Sequence, residues 1–269
     1  MSGLQTIHAT KSDLKLRLAQ GPDEIHACQK LRYRVFYEEL SAMPDTAMAS
    51  GADADRFDAI CDHLAVVRQK PASVPDPVML PDGELVGTYR LLRQEVAEQN
   101  GGFYTQDEFD IAPLLASHPC LRFLELGRSC VLKPYRTKPV VELLWQGIWN
   151  YVRAHGVDVM FGCASLEGTD PEAHAETLSF LAEHRAVPLE WRVRALFNRY
   201  VKMNRRSRFD AKAALRALPP LIKGYLRLGC YIGEGAVIDL QFNTIDILIV
   251  LPVSAIDSRY FARFGQPND

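Results

Sequence analysis

The sequence predicts an α/β fold, a central mixed sheet flanked by helices. Three observations predict it. Alternating or continuous apolar runs of strand length recur along the chain. Two segments instead carry apolar residues at helical spacing. The second of these lies between two strands within residues 121–163, and that order implies a parallel pair with a right-handed crossover.

The elements follow in order. Residues 1–13 are polar, lack the apolar core of a secretory signal, and are expected to form a flexible segment. Leu14, Leu16 and Leu18 alternate with Lys15 and Arg17, as in a half-buried strand. Asp23 and Glu24 suit a helix's first turn, and Ile25, Cys28, Leu31, Arg32, Val35 and Phe36 carry the helix over roughly 23–40. Residues 41–55 read as a loop, long enough to suggest a role in function. Strands are expected at Leu64–Val67 and Glu84–Leu92, with a proline-rich loop over 71–82 between them. Residues 100–119 are irregular, with room for a short helix.

Leu121–Val131 is the best strand. Thr137 and Pro139 open a helix whose stripe, from Val140 through Leu144 and Ile148 to Val152, ends at Gly156. Val157–Cys163 is the next strand, and Thr169, Pro171 and Glu172 predict a helix over 170–185. A basic segment covers 192–216, and strands are expected near 225–232 and 244–251. Residues 14–269 are read as a single domain with a basic extension from about 192.

Composition excludes several classes. Net charge is −2, which gives no overall cue for a polyanionic partner. The six cysteines (Cys28, Cys61, Cys120, Cys130, Cys163 and Cys230) include no C-x-x-C pair and no zinc spacing, so reduced, mostly buried thiols and no metal are expected. The longest apolar run near the C-terminus, Ile247–Val253, is far too short to span a bilayer. A cytoplasmic protein is expected, with contact at the inner membrane face left open.

Four stretches place charge in apolar surroundings. They are Leu31–Phe36 with Arg32, Asp55–Leu64 with Asp55, Asp58, Asp62 and His63, Val86–Leu92 with Arg90, and Leu124–Arg128 with Glu125 and Arg128. Each is open to a structural ion pair as well as to function. Glu125 and Arg128 are the hardest to read as merely structural, because an unpaired buried charge costs several kcal/mol and a paired one is rarely a net gain. Residues three apart on a regular strand face opposite ways. For these two to share a cleft the strand needs a bulge, for which Gly127 is the natural place.

The set Arg32, Phe36, Asp55, Asp58, Arg90, Glu125 and Arg128 resembles, in order and spacing, the signature of acyl-homoserine-lactone synthases. The wider wording resembles more closely a sister group, the ornithine N-acyltransferases of ornithine-lipid synthesis, often labelled hemolysins. The phrases that carry it are Cys61–Leu64, Gly87–Leu92, Glu125–Ser129 and Leu218–Gly229, within a resemblance running from about Leu14 to Phe264. It implies a GNAT fold of the acyl-homoserine-lactone-synthase type. It also implies transfer of a 3-hydroxyacyl group from acyl carrier protein to the α-amino group of ornithine, giving lyso-ornithine lipid. No cofactor is implied beyond the carrier's phosphopantetheine arm as co-substrate.

Roles follow as expectations. Aminolysis of a thioester needs a base near neutral pKa, which an enclosed carboxylate supplies, and Glu125 is assigned to it. Arg128 joins it in the catalytic set. Arg32, Phe36, Asp55, Asp58 and Arg90 are assigned to the amino-acid substrate, with the arginines either holding its carboxylate or ordering the acids. Coenzyme-A-using relatives carry a glycine-rich loop at the start of the helix after the bulged strand; here it reads Arg136-Thr137-Lys138-Pro139, without the glycines and with a proline that removes a donor. That favours a single phosphate, met by Arg136 and Lys138.

Between 192 and 216 stand nine basic residues against one acid, Asp210. Arg199, Lys202, Arg205, Arg206 and Arg208 are assigned to docking of an acidic carrier protein or an anionic membrane. Nucleic acid is not expected, since no reading motif is present. Two rivals stand: a signal synthase acylating S-adenosylmethionine, or an N-acyltransferase for lysine, glutamine or glycine, and, from another class, a non-enzymatic membrane-active protein.

Overall fold

The computed structural model describes residues 7–44, 50–69, 76–183 and 187–257. Among these, eleven strands join one sheet in the order β1(His8–Lys11), β2(Leu14–Leu18), β3(Asp62–Arg68), β5(Gly83–Arg93), β7(Phe123–Val131), β8(Val159–Glu167), β11(Thr244–Pro252), β10(Tyr231–Asp239), β9(Arg194–Ala195) and β6(Phe109–Asp110), with β4(Met79–Leu80) paired to β5. The helices are α1(Gly21–Tyr33), α2(Gln94–Gln99), α3(Ala112–Ser117), α4(Lys138–His155), α5(Ala175–Glu183), α6(Ala211–Ala217) and α7(Pro220–Leu228).

The sheet is mixed, as expected. β7 and β8 are parallel, joined through α4, while β2, β3, β5 and β7 are successively antiparallel. Alternate residues face opposite ways on a strand, and the core divides accordingly. Leu124 and Met160 belong to the larger apolar cluster, with α1 and α4, whereas Phe123 and Phe161 belong to a second, aromatic-rich one with Phe103 and Phe109. No helix of the described residues is long and apolar enough to cross a membrane.

Three local expectations need correction. His8–Lys11 is not outside the fold: it pairs antiparallel with Leu14–Arg17 through a turn at Ser12, whose φ is 60°. Its side chains are largely exposed, so no alternation marked it as a strand. The helix expected over 170–185 begins only at Ala175; Asp170 instead accepts the Glu172 N–H at 2.9 Å in the turn before it. Residues 225–228 are helical rather than extended. Pro220 starts α7, Ile222, Tyr225 and Leu226 bury one helical face, and Gly229 closes it in the left-handed region at φ 98°.

Candidate active site

β7 and β8 pair only at Phe123–Val159, Leu124–Met160 and Glu125–Phe161, and beyond that point they part. Gly162 stands where they separate: a Cβ there would lie 2.2 Å from the Leu126 carbonyl oxygen. The wedge opens into a cavity of about 330 Å³, within the range of small-ligand sites. Its walls include Glu125 and Arg128 from β7, Cys163 from β8, Asp246 from β11, and Phe36 and Arg90.

The bulge is present. Thr88 pairs with Cys130 and Arg90 with Gly127, so Tyr89 alone faces both Arg128 and Ser129. The residue that takes the strained conformation is Arg128, with φ 51°, rather than Gly127. The bulge puts Glu125 and Arg128 on the same side of the sheet, since both reach Tyr104. Glu125 accepts the Tyr104 and Thr105 backbone N–H groups at 3.1 and 2.7 Å. The Arg128 guanidinium lies between two rings, 4.6 Å from the centre of Tyr104 and 4.5 Å from that of Phe242. Burial raises the Glu125 pKa, an effect partly offset by the Thr105 and Tyr104 donors. Each of its oxygens takes one of these N–H groups, and the Thr105 hydroxyl bonds the carboxylate as well.

Arg32, Asp55 and Asp58 are not on the cavity wall. They belong to an ion-pair lattice behind it. Arg32 is fully buried and binds Asp53 at 2.7 Å and Asp58 at 2.8 Å. Arg90 binds Asp55 at 2.7 Å and Asp58 at 3.2 Å, and Arg128 binds Asp53 and Asp55, each at 3.3 Å. Three arginines thus meet three aspartates. Burial alone would raise the Asp58 pKa, but Arg32 and Arg90 hold it well below the ordinary value. His63 donates from Nε2 to the Asp58 carbonyl at 3.1 Å, and burial lowers its pKa. All three arginines are paired with these acids, and Arg90 and Arg128 also reach the cavity wall. Phe36 does line the cavity, edge-on to Phe242 at 5.6 Å.

A second group of acids was not singled out from the sequence. Glu108, Asp239 and Asp246 are buried, with carboxylate oxygens within 4.8 Å of one another. Burial and the neighbouring Asp246 push the Glu108 pKa up to about 7, and burial also raises Asp246. Asp239 and Asp246 both line the cavity. Cys163 donates to Glu108 at 3.3 Å, and burial, then Glu108 and Asp246, hold it as a thiol. The wall therefore presents no ready thiolate.

The family model for the GNAT acetyltransferase domain matches residues 31–146. An L-ornithine N(alpha)-acyltransferase of Brucella abortus is 49% identical over 98% of each chain. Proteins of the same name from Agrobacterium fabrum and Rhizobium meliloti are each 51% identical, over 94% of this chain and 85% of theirs. The chain belongs to the L-ornithine N(alpha)-acyltransferase family. It is an acyltransferase with a GNAT domain, and the expected fold and chemistry class are borne out.

Other expected contacts of this acyltransferase are differently placed. Arg136, just before α4, binds Glu39 through both terminal nitrogens, at 2.5 and 2.8 Å. Lys138 is largely exposed, 3.7 Å from Glu142. The basic segment is partly neutralised from within. Arg199 turns inward to the Asp107 carbonyl at 2.9 Å and to Glu108 at 3.6 Å, and Arg205 and Arg206 share Glu172. Among the described residues only Lys202 and Arg208 of the five docking candidates are exposed with no ion pair.

Proposed function

We propose that the chain transfers a 3-hydroxyacyl group from acyl carrier protein to the α-amino group of L-ornithine, giving lyso-ornithine lipid. The observation that carries this reading is the wedge between β7 and β8 with buried Glu125 on its wall, in a chain so similar to relatives of that name. The amine attacks the thioester carbonyl, Glu125 takes the proton it loses, a C–N bond forms, and the C–S bond breaks. The departing thiolate takes up a proton as it leaves. A carboxylate raised by burial suits this task, since a base works best with a pKa near the operating pH. The bulge at Arg128 interrupts the ladder beside the reacting carbonyl and leaves backbone donors to stabilise its oxyanion.

The donor would enter along the start of α4. Thr137 caps that helix without a side-chain bond, and Pro139 removes one N–H, so the site suits one phosphate better than a pyrophosphate. Lys138 would turn from Glu142 toward that phosphate, and Arg136 would have to leave Glu39 to do so. Lys202 and Arg208 are the exposed cations best placed to meet an acidic carrier protein.

The test uses purified protein with 3-hydroxyacyl carrier protein and ornithine, lysine, glutamine, glycine or S-adenosylmethionine, read by mass spectrometry. Acyl-ornithine is the expected product. A lactone from S-adenosylmethionine would move the chain to the signal-synthase reading, and no product from any amine would end the proposal.

A further inference from the structure

Folded proteins rarely leave buried carboxylates together without cations to offset them, because desolvation and mutual repulsion both oppose it. Glu108, Asp239 and Asp246 are such a group, respectively 2%, 7% and 5% exposed. Among the described residues, Asp239 and Asp246 have no ion-pair partner. Their bonds are to neutral donors, the Phe242 N–H at 3.0 Å and the Thr244 hydroxyl at 2.9 Å. Arg199 reaches only Glu108, at 3.6 Å, and Arg128, held by Asp53 and Asp55, acts on Asp246 only weakly and without an ion pair. The two uncompensated acids both form part of the cavity wall. A charge deficit at the wall of a substrate cavity is a place for a cationic part of the substrate.

We propose that Asp239 and Asp246, with Glu108 behind them, form the seat for the side-chain ammonium of the amino-acid acceptor. This rests on the ornithine reading above and deepens it. The three oxygens lie within 4.8 Å of one another, a spacing that lets each accept from one –NH₃⁺ at an ordinary distance of about 2.9 Å. An alkylammonium has three donors and no acceptor, matching an all-acceptor site. The seat also accounts for regioselectivity. An amine held as its cation among carboxylates has no free lone pair and cannot attack the thioester, so the δ-amine is masked while the α-amine reacts.

The experiment compares ornithine with norvaline, which has the same carbon chain without the δ-amine. Wild type, Asp246→Asn and Asp239→Asn are assayed with 3-hydroxyacyl carrier protein. The expected result is a strong wild-type preference for ornithine. Each variant should raise the ornithine KM about 30-fold or more, the loss typical of removing one partner of a buried charge pair, and narrow the ornithine-to-norvaline ratio of kcat/KM by a similar factor. That ratio is taken within one sample, so a partly folded variant does not obscure it. Thermal unfolding of the wild type needs no variant: ornithine should raise Tm more than norvaline does. Equal losses on both amines, an unchanged ratio, or equal thermal shifts would overturn the seat while leaving ornithine as the acceptor. A wild type that does not acylate ornithine would remove the functional reading and the seat together.

Discussion

Two buried charge clusters meet the same cavity and are completed differently. In the first, Arg32, Arg90 and Arg128 are interlocked with Asp53, Asp55 and Asp58, charge for charge. In the second, among the described residues, Glu108 has one partial partner, Arg199, and Asp239 and Asp246 have none. The balanced cluster is architecture: it ties α1 and the loop before β3 to β5 and β7, and so fixes the bulge that aims Arg128. The unbalanced cluster lacks such counter-charges and is the one proposed to take the acceptor's ammonium. Buried charge by itself does not mark a binding site; buried charge without its counter-charge does.

That contrast can be broken from the balanced side first. Arg32→Met leaves buried Asp53 with only Arg128 and buried Asp58 with only Arg90, and should cost about 3–5 kcal/mol of stability, the usual penalty for breaking a buried ion pair. Denaturant titration measures it. Next, Glu125→Gln removes the base and keeps an acceptor for only one of the Tyr104 and Thr105 N–H groups, setting its amide NH2 against the other. It should lower kcat about 100-fold or more and, through the unmet N–H, cost about 1–3 kcal/mol of stability, with steady-state kinetics and the unfolding curve reading the two effects separately.

A third effect concerns pH. Glu108 rises from an ordinary 4.5 to about 7 on folding, so between those values the folded state binds more protons than the unfolded one. Its stabilising contribution is complete below about 4.5 and is lost as pH rises through about 7. Ligand-free protein should therefore lose on the order of 1–3 kcal/mol from this group across that window. Asp58 has the opposite sign: held below its ordinary value, it weakens the fold only on acidification below the normal carboxylate range. Unfolding measured from pH 4 to 8 reports Glu108, and extending the series below pH 4 brings in Asp58. Smallest of all, Lys202→Glu and Arg208→Glu should each raise KM for the acyl carrier several-fold, from about 1 kcal/mol per charge. The effect should fade at high salt if it is electrostatic.

Much of this was legible in the sequence. Leu121–Val131 and the stripe Val140–Val152 have unambiguous periods, so the parallel unit and its helix followed directly. β1 was not legible, because its residues are mostly exposed and carry no apolar alternation. Glu125 and Arg128 stood out as charges within an apolar strand, and the need for a bulge followed from their spacing of three. Asp246, between Ile245 and Ile247, carries the same signal, and Asp239 follows Val237 and Ile238. Those acids were findable by the rule that found Glu125. Glu108 was not, since it sits in an irregular stretch with no period to violate. Nor could a linear pattern show that Arg32 is sealed behind the cavity instead of lining it. Burial of that kind depends on which loop folds over which helix, here on Asp53, which a run of alanines and aspartates did not mark.

The most direct test of the contrast is one substitution made on each side of it. Asp58→Asn and Asp246→Asn both turn a buried aspartate into its neutral isostere, and thermal unfolding of the ligand-free proteins reports the cost of each. Asp58→Asn should lower Tm clearly, because it strips charge from a matched lattice. Asp246→Asn should leave Tm unchanged or raise it, because it relieves repulsion. Equal losses from the two variants would contradict the account.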